Sequence, residues 1–169
     1  YSTAEGKMKL NEFEKPITNL NALGLVNNGD TWFLVGEQYK AHREASTGVG
    51  TMQMQENYNY RHNDVLVSAF DPSGALKFEI PLAKNYSARN FDVDLYPAFG
   101  ILNGKLAVVY NDHYGKYFQE DATSTFKLPV LVYINNDGLM ESPVHFKKEL
   151  QGTGTSYILY PRLFTNGKK

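Results

Sequence analysis

Two carboxylates stand out by position. Glu37 closes the apolar run Trp32-Phe33-Leu34-Val35-Gly36, and Asp112 closes Ala107-Val108-Val109-Tyr110-Asn111; each is followed by one polar residue and a tyrosine, Gln38-Tyr39 and His113-Tyr114. Two carboxylates on one face can act as general acid and base, ligate a hard cation, or hold sugar hydroxyls. A carboxylate recurring in a repeat can equally satisfy backbone N–H groups of a neighbouring unit. Glu37, inside a strongly apolar strand, is expected to be buried and to serve the fold in this way. Asp112, flanked by Asn111 and His113, is expected to be solvent-accessible and to serve a ligand.

A second group is Tyr58-Asn59-Tyr60-Arg61-His62-Asn63-Asp64. In an extended strand Tyr58, Tyr60 and His62 point to one side. Aromatic faces beside amides and carboxylates suit a carbohydrate platform, in which rings stack on sugar faces and polar groups read hydroxyls, and the same residues are ordinary ones for a half-buried strand, which is the favoured reading. The candidate ligand-binding set is therefore Glu37, Tyr39, Tyr60, His62, Asp112, His113 and Tyr114, with no catalytic residue assigned. Asp92-Val93-Asp94 is expected to be a solvated loop rather than a Ca²⁺ site, since no Asp-x-Asp-x-Asp-Gly run surrounds it. His42, His62, His113 and His145 lack zinc-site spacing, so neither a metal nor a cofactor is expected. No Gly-x-Ser-x-Gly, phosphate-binding loop or dinucleotide fingerprint occurs. Ser46–Gln55 is expected to be a mobile surface insertion.

The elements carrying these residues repeat. Trp32–Tyr39 recurs as Ala107–Tyr114 at an offset of 75, and Val65–Phe78 recurs as Pro129–Met140 at an offset of 64. The difference is assigned to a longer connection around Ala41–Asn59. Leu95-Tyr96-Pro97 returns as Leu159-Tyr160-Pro161, and Gly6, Gly74 and Gly138 share a register. The runs are short and rich in Val, Leu, Ile, Tyr and Phe, and are bounded by Asn-Gly, Asp-Pro-Ser-Gly and Asn-Asp-Gly, which supply the positive φ of tight hairpins. The expected fold is all-β, with antiparallel four-stranded repeats forming part of a β-propeller; the alternative is an open sandwich of two sheets. Residues 1–16 would hold the outer strand of a preceding blade (Lys7–Phe13), 17–84 and 85–150 a blade each, and 151–169 the first strand of a following blade (Tyr157–Phe164). Known propellers close with roughly four to eight blades, so contacts are expected with further blades of a longer chain or with another copy.

Composition narrows the partners. The 169 residues carry 17 Lys plus Arg against 18 Asp plus Glu, a net charge of −1, which speaks against a nucleic-acid binder. Leu106–Tyr110 and Val130–Ile134 are the longest apolar runs, far below the roughly 20 residues of a membrane helix. Ten Phe, twelve Tyr and one Trp supply a core, and the absence of Cys excludes disulfides and thiolate chemistry.

The hairpin Ala69–Phe78 resembles the repeat of quinoprotein-like propellers, in which an Ala-x-Asp turn with Gly leads to an outer-strand aromatic; Phe78 stands where Trp is usual. Gly29–Tyr39, with the later Asp-Val-Leu-Val and Asp-x-x-Gly hairpin, looks like exported Bacteroidota propeller-like proteins of unassigned function. The resemblance implies a blade fold and a periplasmic, cell-surface or extracellular location, and it implies no bound quinone. The leading functional expectation is a non-enzymatic exported propeller segment that binds a glycan or protein through the face bearing its b–c loops, those joining the second and third strands of each blade. The alternatives are a carbohydrate-active enzyme using Glu37 and Asp112, and a purely structural scaffold segment.

Overall fold

The computed structural model describes residues 19–44, 57–84, 86–89, 96–113 and 127–145, and these form two antiparallel sheets with no helix. The first sheet runs β1 (Leu20–Asn28), β2 (Thr31–Glu44), β3 (Asn57–Phe70), β4 (Leu76–Leu82), with β5 (Tyr86–Arg89) also pairing β3. The second runs β6 (Ala98–Leu102), β7 (Lys105–His113), β8 (Lys127–Ile134), β9 (Val144–His145). Both are meanders in chain order, as the repeat requires. The expected strands Lys7–Phe13 and Tyr157–Phe164 lie outside the described residues.

The β3–β4 and β8–β9 turns are built alike. Gly74 and Gly138 hold φ of 85° and 81°, and their N–H groups donate to the carbonyls of Asp71 and Asn135. Asp71 Oδ1 accepts from the N–H groups of Ser73 and Ala75, and Asn135 Oδ1 from those of Asp137 and Leu139. The offset of 64 therefore holds in three dimensions.

The offset of 75 does not. Cross-strand pairing ends at Asn28 with Thr31 in one hairpin and at Leu102 with Lys105 in the other, so equivalent residues are 74 apart. The cause is turn chemistry. Gly29 (φ 66°) takes the first turn position, whereas Asn103 (φ 52°) and Gly104 (φ 72°) both take the left-handed region. These are the φ patterns of a type II′ and a type I′ turn. Aligning glycine on glycine thus slips the register by one residue, and one residue turns every side chain to the other face. Glu37 corresponds to Asn111, and Asp112 to Gln38. The excess length of the first unit is also partly strand: Ala41–Glu44 and Asn57–Asn59 extend β2 and β3.

The corrected register shows how the sheets stack. One core contains Phe33, Val35, Val65, Val67, Phe78 and Ile80 from the first sheet and Phe99, Leu106, Val108, Tyr110, Val130 and Val132 from the second. Phe33 and Val35 correspond to Ala107 and Val109, which lie on the far side of the second sheet. Its core-facing Leu106 and Val108 correspond instead to Trp32 and Leu34, on the outer side of the first. Opposite faces of one repeated unit therefore meet, head to tail. The contact is close: a methyl added at Gly24 would meet the Phe99 ring at 3.0 Å, and one at Gly138 the Phe78 ring at 3.0 Å. The turns at one end are tied by Asn28 Nδ2, which donates to Gly104 O and Asn136 Oδ1 at 2.7 Å each.

Candidate functional site

Along β2 the inward positions run Phe33, Val35, Glu37, Tyr39; along β7 they run Leu106, Val108, Tyr110, Asp112; Phe78, Ile80 and Leu82 of β4 lead on to Lys84. At one end the apolar core thus gives way to a charged layer. Glu37, His62 and Asp112 are 0% exposed and Lys84 3%.

His62 reaches this layer through a β-bulge. Val65 pairs Glu37 and His62 pairs Tyr39, which leaves Asn63 and Asp64 opposite Gln38 alone. The extra residue inverts the alternation, so Tyr58, Tyr60 and His62 share the face of Val65 and Val67. The neighbouring edge breaks at the same level: Leu82 pairs Val65, and β5 resumes with Tyr86 opposite His62. Asp64 Oδ1 accepts the N–H of Lys84 at 3.1 Å and fixes the point from which that side chain turns inward.

Both Glu37 oxygens are engaged. Oε2 lies 2.8 Å from His62 Nδ1, and Oε1 accepts a hydrogen bond from the Lys84 ammonium. Burial pulls the Lys84 ammonium below its ordinary value of 10.5, against the opposing attraction of Glu37 and Asp112. Lys84 thus couples a carboxylate of the first sheet to one of the second. Around His62 stand Tyr39, with ring centroids 5.1 Å apart, and Tyr96, edge-on at 5.0 Å; the two tyrosines are 5.9 Å apart. Tyr58 and Tyr60 stack nearly parallel, at 16° and 6.1 Å, half-buried beyond this cluster.

The structure therefore unites Glu37, Tyr39, His62 and, through Lys84, Asp112, with Tyr60 alongside. Asp112 is fully buried, contrary to its expected exposure, because it continues the inward positions of β7 rather than its polar flank. Glu37 is buried as expected, yet His62 and Lys84 are its partners rather than backbone N–H groups. His113 ends β7 opposite Lys127; its side chain, Tyr114, Asp92, Asp94 and Ser46–Gln55 lie outside the described residues.

Two members were not foreseen. Lys84 has a signal in the sequence, a lysine continuing the period-two apolar pattern of Phe78, Ile80 and Leu82. Tyr96 has none beyond its place in a recurring Leu-Tyr-Pro. The cluster is a buried layer of ionisable groups between the two sheets, and its carboxylates are turned away from the surface. The surface it supports is aromatic. Neither models of protein families, nor curated proteins, nor solved structures show a match to this chain.

Proposed function

We propose that this chain is a non-enzymatic binding module of propeller-like blades, which takes a glycan at the end of the first sheet where Tyr58 and Tyr60 stack beside Tyr39 and Tyr96. The observation that carries this reading is the near-parallel, half-buried tyrosine pair, mounted on strands that run past the apolar core. Sugar rings present C–H faces to such planes, and a rigid ring pair loses little conformational freedom on binding. Head-to-tail stacking of equivalent sheets supports the blade part of the reading. The burial of Glu37 and Asp112 weighs against the alternative of carbohydrate hydrolysis, in which an acid and a nucleophile or base must flank the bond to be cleaved. The location implied by the resemblance, outside the bacterial cytoplasm, would put the tyrosines where glycans are met.

The test is a titration of the protein with a panel of soluble oligosaccharides, read by calorimetry and by tyrosine ring resonances. Tyr60→Ala should weaken binding by about 1 kcal/mol, roughly fivefold, with the melting temperature nearly unchanged. Binding unaffected by the double substitution Tyr58→Ala and Tyr60→Ala, or absent across the panel, would overturn the reading.

A further inference from the structure

The sequence holds the dipeptide Asn-Gly three times, at Asn28-Gly29, Asn103-Gly104 and Asn166-Gly167. Such a pair is chemically labile, because glycine has no side chain to shield its main-chain nitrogen from the asparagine carboxamide. Asn166 and Gly167 lie outside the described residues, and the fold treats the other two pairs differently.

Asn103 and Gly104 form the exposed β6–β7 turn, with φ of 52° and 72°. Strand pairing stops at Leu102 with Lys105, so the Gly104 nitrogen stands outside the ladder. Among the described residues the Asn103 side chain has no hydrogen bond to give up. Asn28 is half-buried and tied on both sides of its amide. Its Nδ2 donates to Gly104 O and to Asn136 Oδ1 at 2.7 Å each, and its carbonyl accepts from Asn136 Nδ2 at 3.1 Å. The Asn28 carboxamide can turn onto the Gly29 nitrogen only after releasing both acceptors.

We propose that Asn103 is a site of spontaneous deamidation, and that its conversion to isoaspartate frees Asn28 for the same reaction, so that the two turns are modified in a fixed order. In the first step the Gly104 nitrogen attacks Asn103 Cγ; the N–Cγ bond forms, the Cγ–Nδ2 bond breaks, and ammonia leaves with the Gly104 amide proton. Water then opens the succinimide at either carbonyl, giving aspartate or isoaspartate. Isoaspartate carries the main chain through Cβ, one atom longer, within a two-residue turn whose ends are fixed by the Leu102–Lys105 pair. Gly104 O lies just beyond the added atom, and it is one of the two acceptors that hold Asn28. Its displacement leaves Asn28 with Asn136 alone. Because Asn28 belongs to the first sheet and both acceptors to turns of the second, the sequence of events loosens the tie between the sheets at this end.

The test is peptide mapping by mass spectrometry on the full 169-residue chain held in mildly alkaline buffer over weeks, with electron-transfer fragmentation to tell isoaspartate from aspartate. Asn103 should react first, and Asn28 roughly tenfold more slowly, the worth of its two hydrogen bonds. Chains isolated with isoaspartate at position 103 should then modify Asn28 severalfold faster than fresh protein. Asn103→Gly leaves a Gly-Gly turn suited to the same dihedrals and should keep Asn28 slow throughout. Asn136→Ala removes the other acceptor, so it should speed Asn28 from the start and leave the Asn103 rate unchanged. In urea the Asn28 and Asn103 rates should converge; a difference that survives unfolding would lie in the local sequence and overturn the proposal. Native Asn28 reacting as fast as Asn103, or at a rate indifferent to the state of residue 103, would overturn it as well.

Discussion

Replacing Lys84 by Met keeps the length and volume of the side chain and removes one charge from a place where Glu37 and Asp112 are fully buried. Glu37 keeps His62 Nδ1 at 2.8 Å and loses the ammonium on its other oxygen. Removing one member of a buried pair leaves an uncompensated charge, at a cost of about 3 to 5 kcal/mol. A domain of this kind has about 5 to 15 kcal/mol in all, so the variant should unfold at markedly lower urea with an unchanged slope. The pair itself is worth far less than that loss. Desolvation outweighs attraction at Lys84, as the direction of its pKa shows, so Glu37→Gln with Lys84→Met should be closer to wild type than the sum of the single losses, by about 1 to 3 kcal/mol. The shift also sets a pH dependence. A lysine whose folded value lies below 10.5 leaves the native state with fewer bound protons than the unfolded chain between the two values, so its contribution to stability rises with pH across that alkaline window. Lys84→Met should abolish that rise. The assay is urea unfolding of the four members of the cycle, repeated up to the alkaline range. A loss under about 1 kcal/mol for Lys84→Met, the value of an exposed ion pair, would refute the reasoning.

Other perturbations test the elements that hold this layer. Asp71 is held below its ordinary 3.8, first by the Ser73 hydroxyl and then by the Ala75 N–H; its contribution is therefore present above 3.8 and fades as pH falls through the lower folded value. Asp71→Asn reproduces the arrangement seen at Asn135, so it should keep the turn and flatten that part of the acid unfolding profile. Gly138→Ala and Gly74→Ala both force alanine into positive φ, at about 1 to 2 kcal/mol; Gly138→Ala should cost more in urea unfolding, since its methyl meets the Phe78 ring while the one at Gly74 meets nothing within 4 Å. Equal losses would show that the sheets do not touch there. Asp64→Ala removes the acceptor of the Lys84 N–H and should cost about 1 to 2 kcal/mol, with faster hydrogen exchange at that amide.

The sequence alone determined the unit: short runs rich in Val, Leu, Ile, Phe and Tyr between Gly- and Asn-bearing turns specify antiparallel strands locally, and their recurrence specifies two meanders in the same order. The faces were decided elsewhere. Two hairpins that both read as Asn-Gly differ in which turn position the glycine takes, and the bulge at Asn63–Asp64 adds a residue without leaving a distinctive motif. Each event reverses which side every following side chain occupies, and each is settled by backbone dihedrals and cross-strand pairing rather than by residue type. Hence Glu37 and Asp112, taken from sequence as equivalent, are not equivalent. They approach one another because the sheets stack head to tail, which brings a front position of one unit against a back position of the next. Lys84 and His62 join them only in the folded chain. A lysine joins a core layer where carboxylates from two distant strands offset part of its desolvation, and the length of sequence between Glu37, Lys84 and Asp112 carries no trace of that meeting.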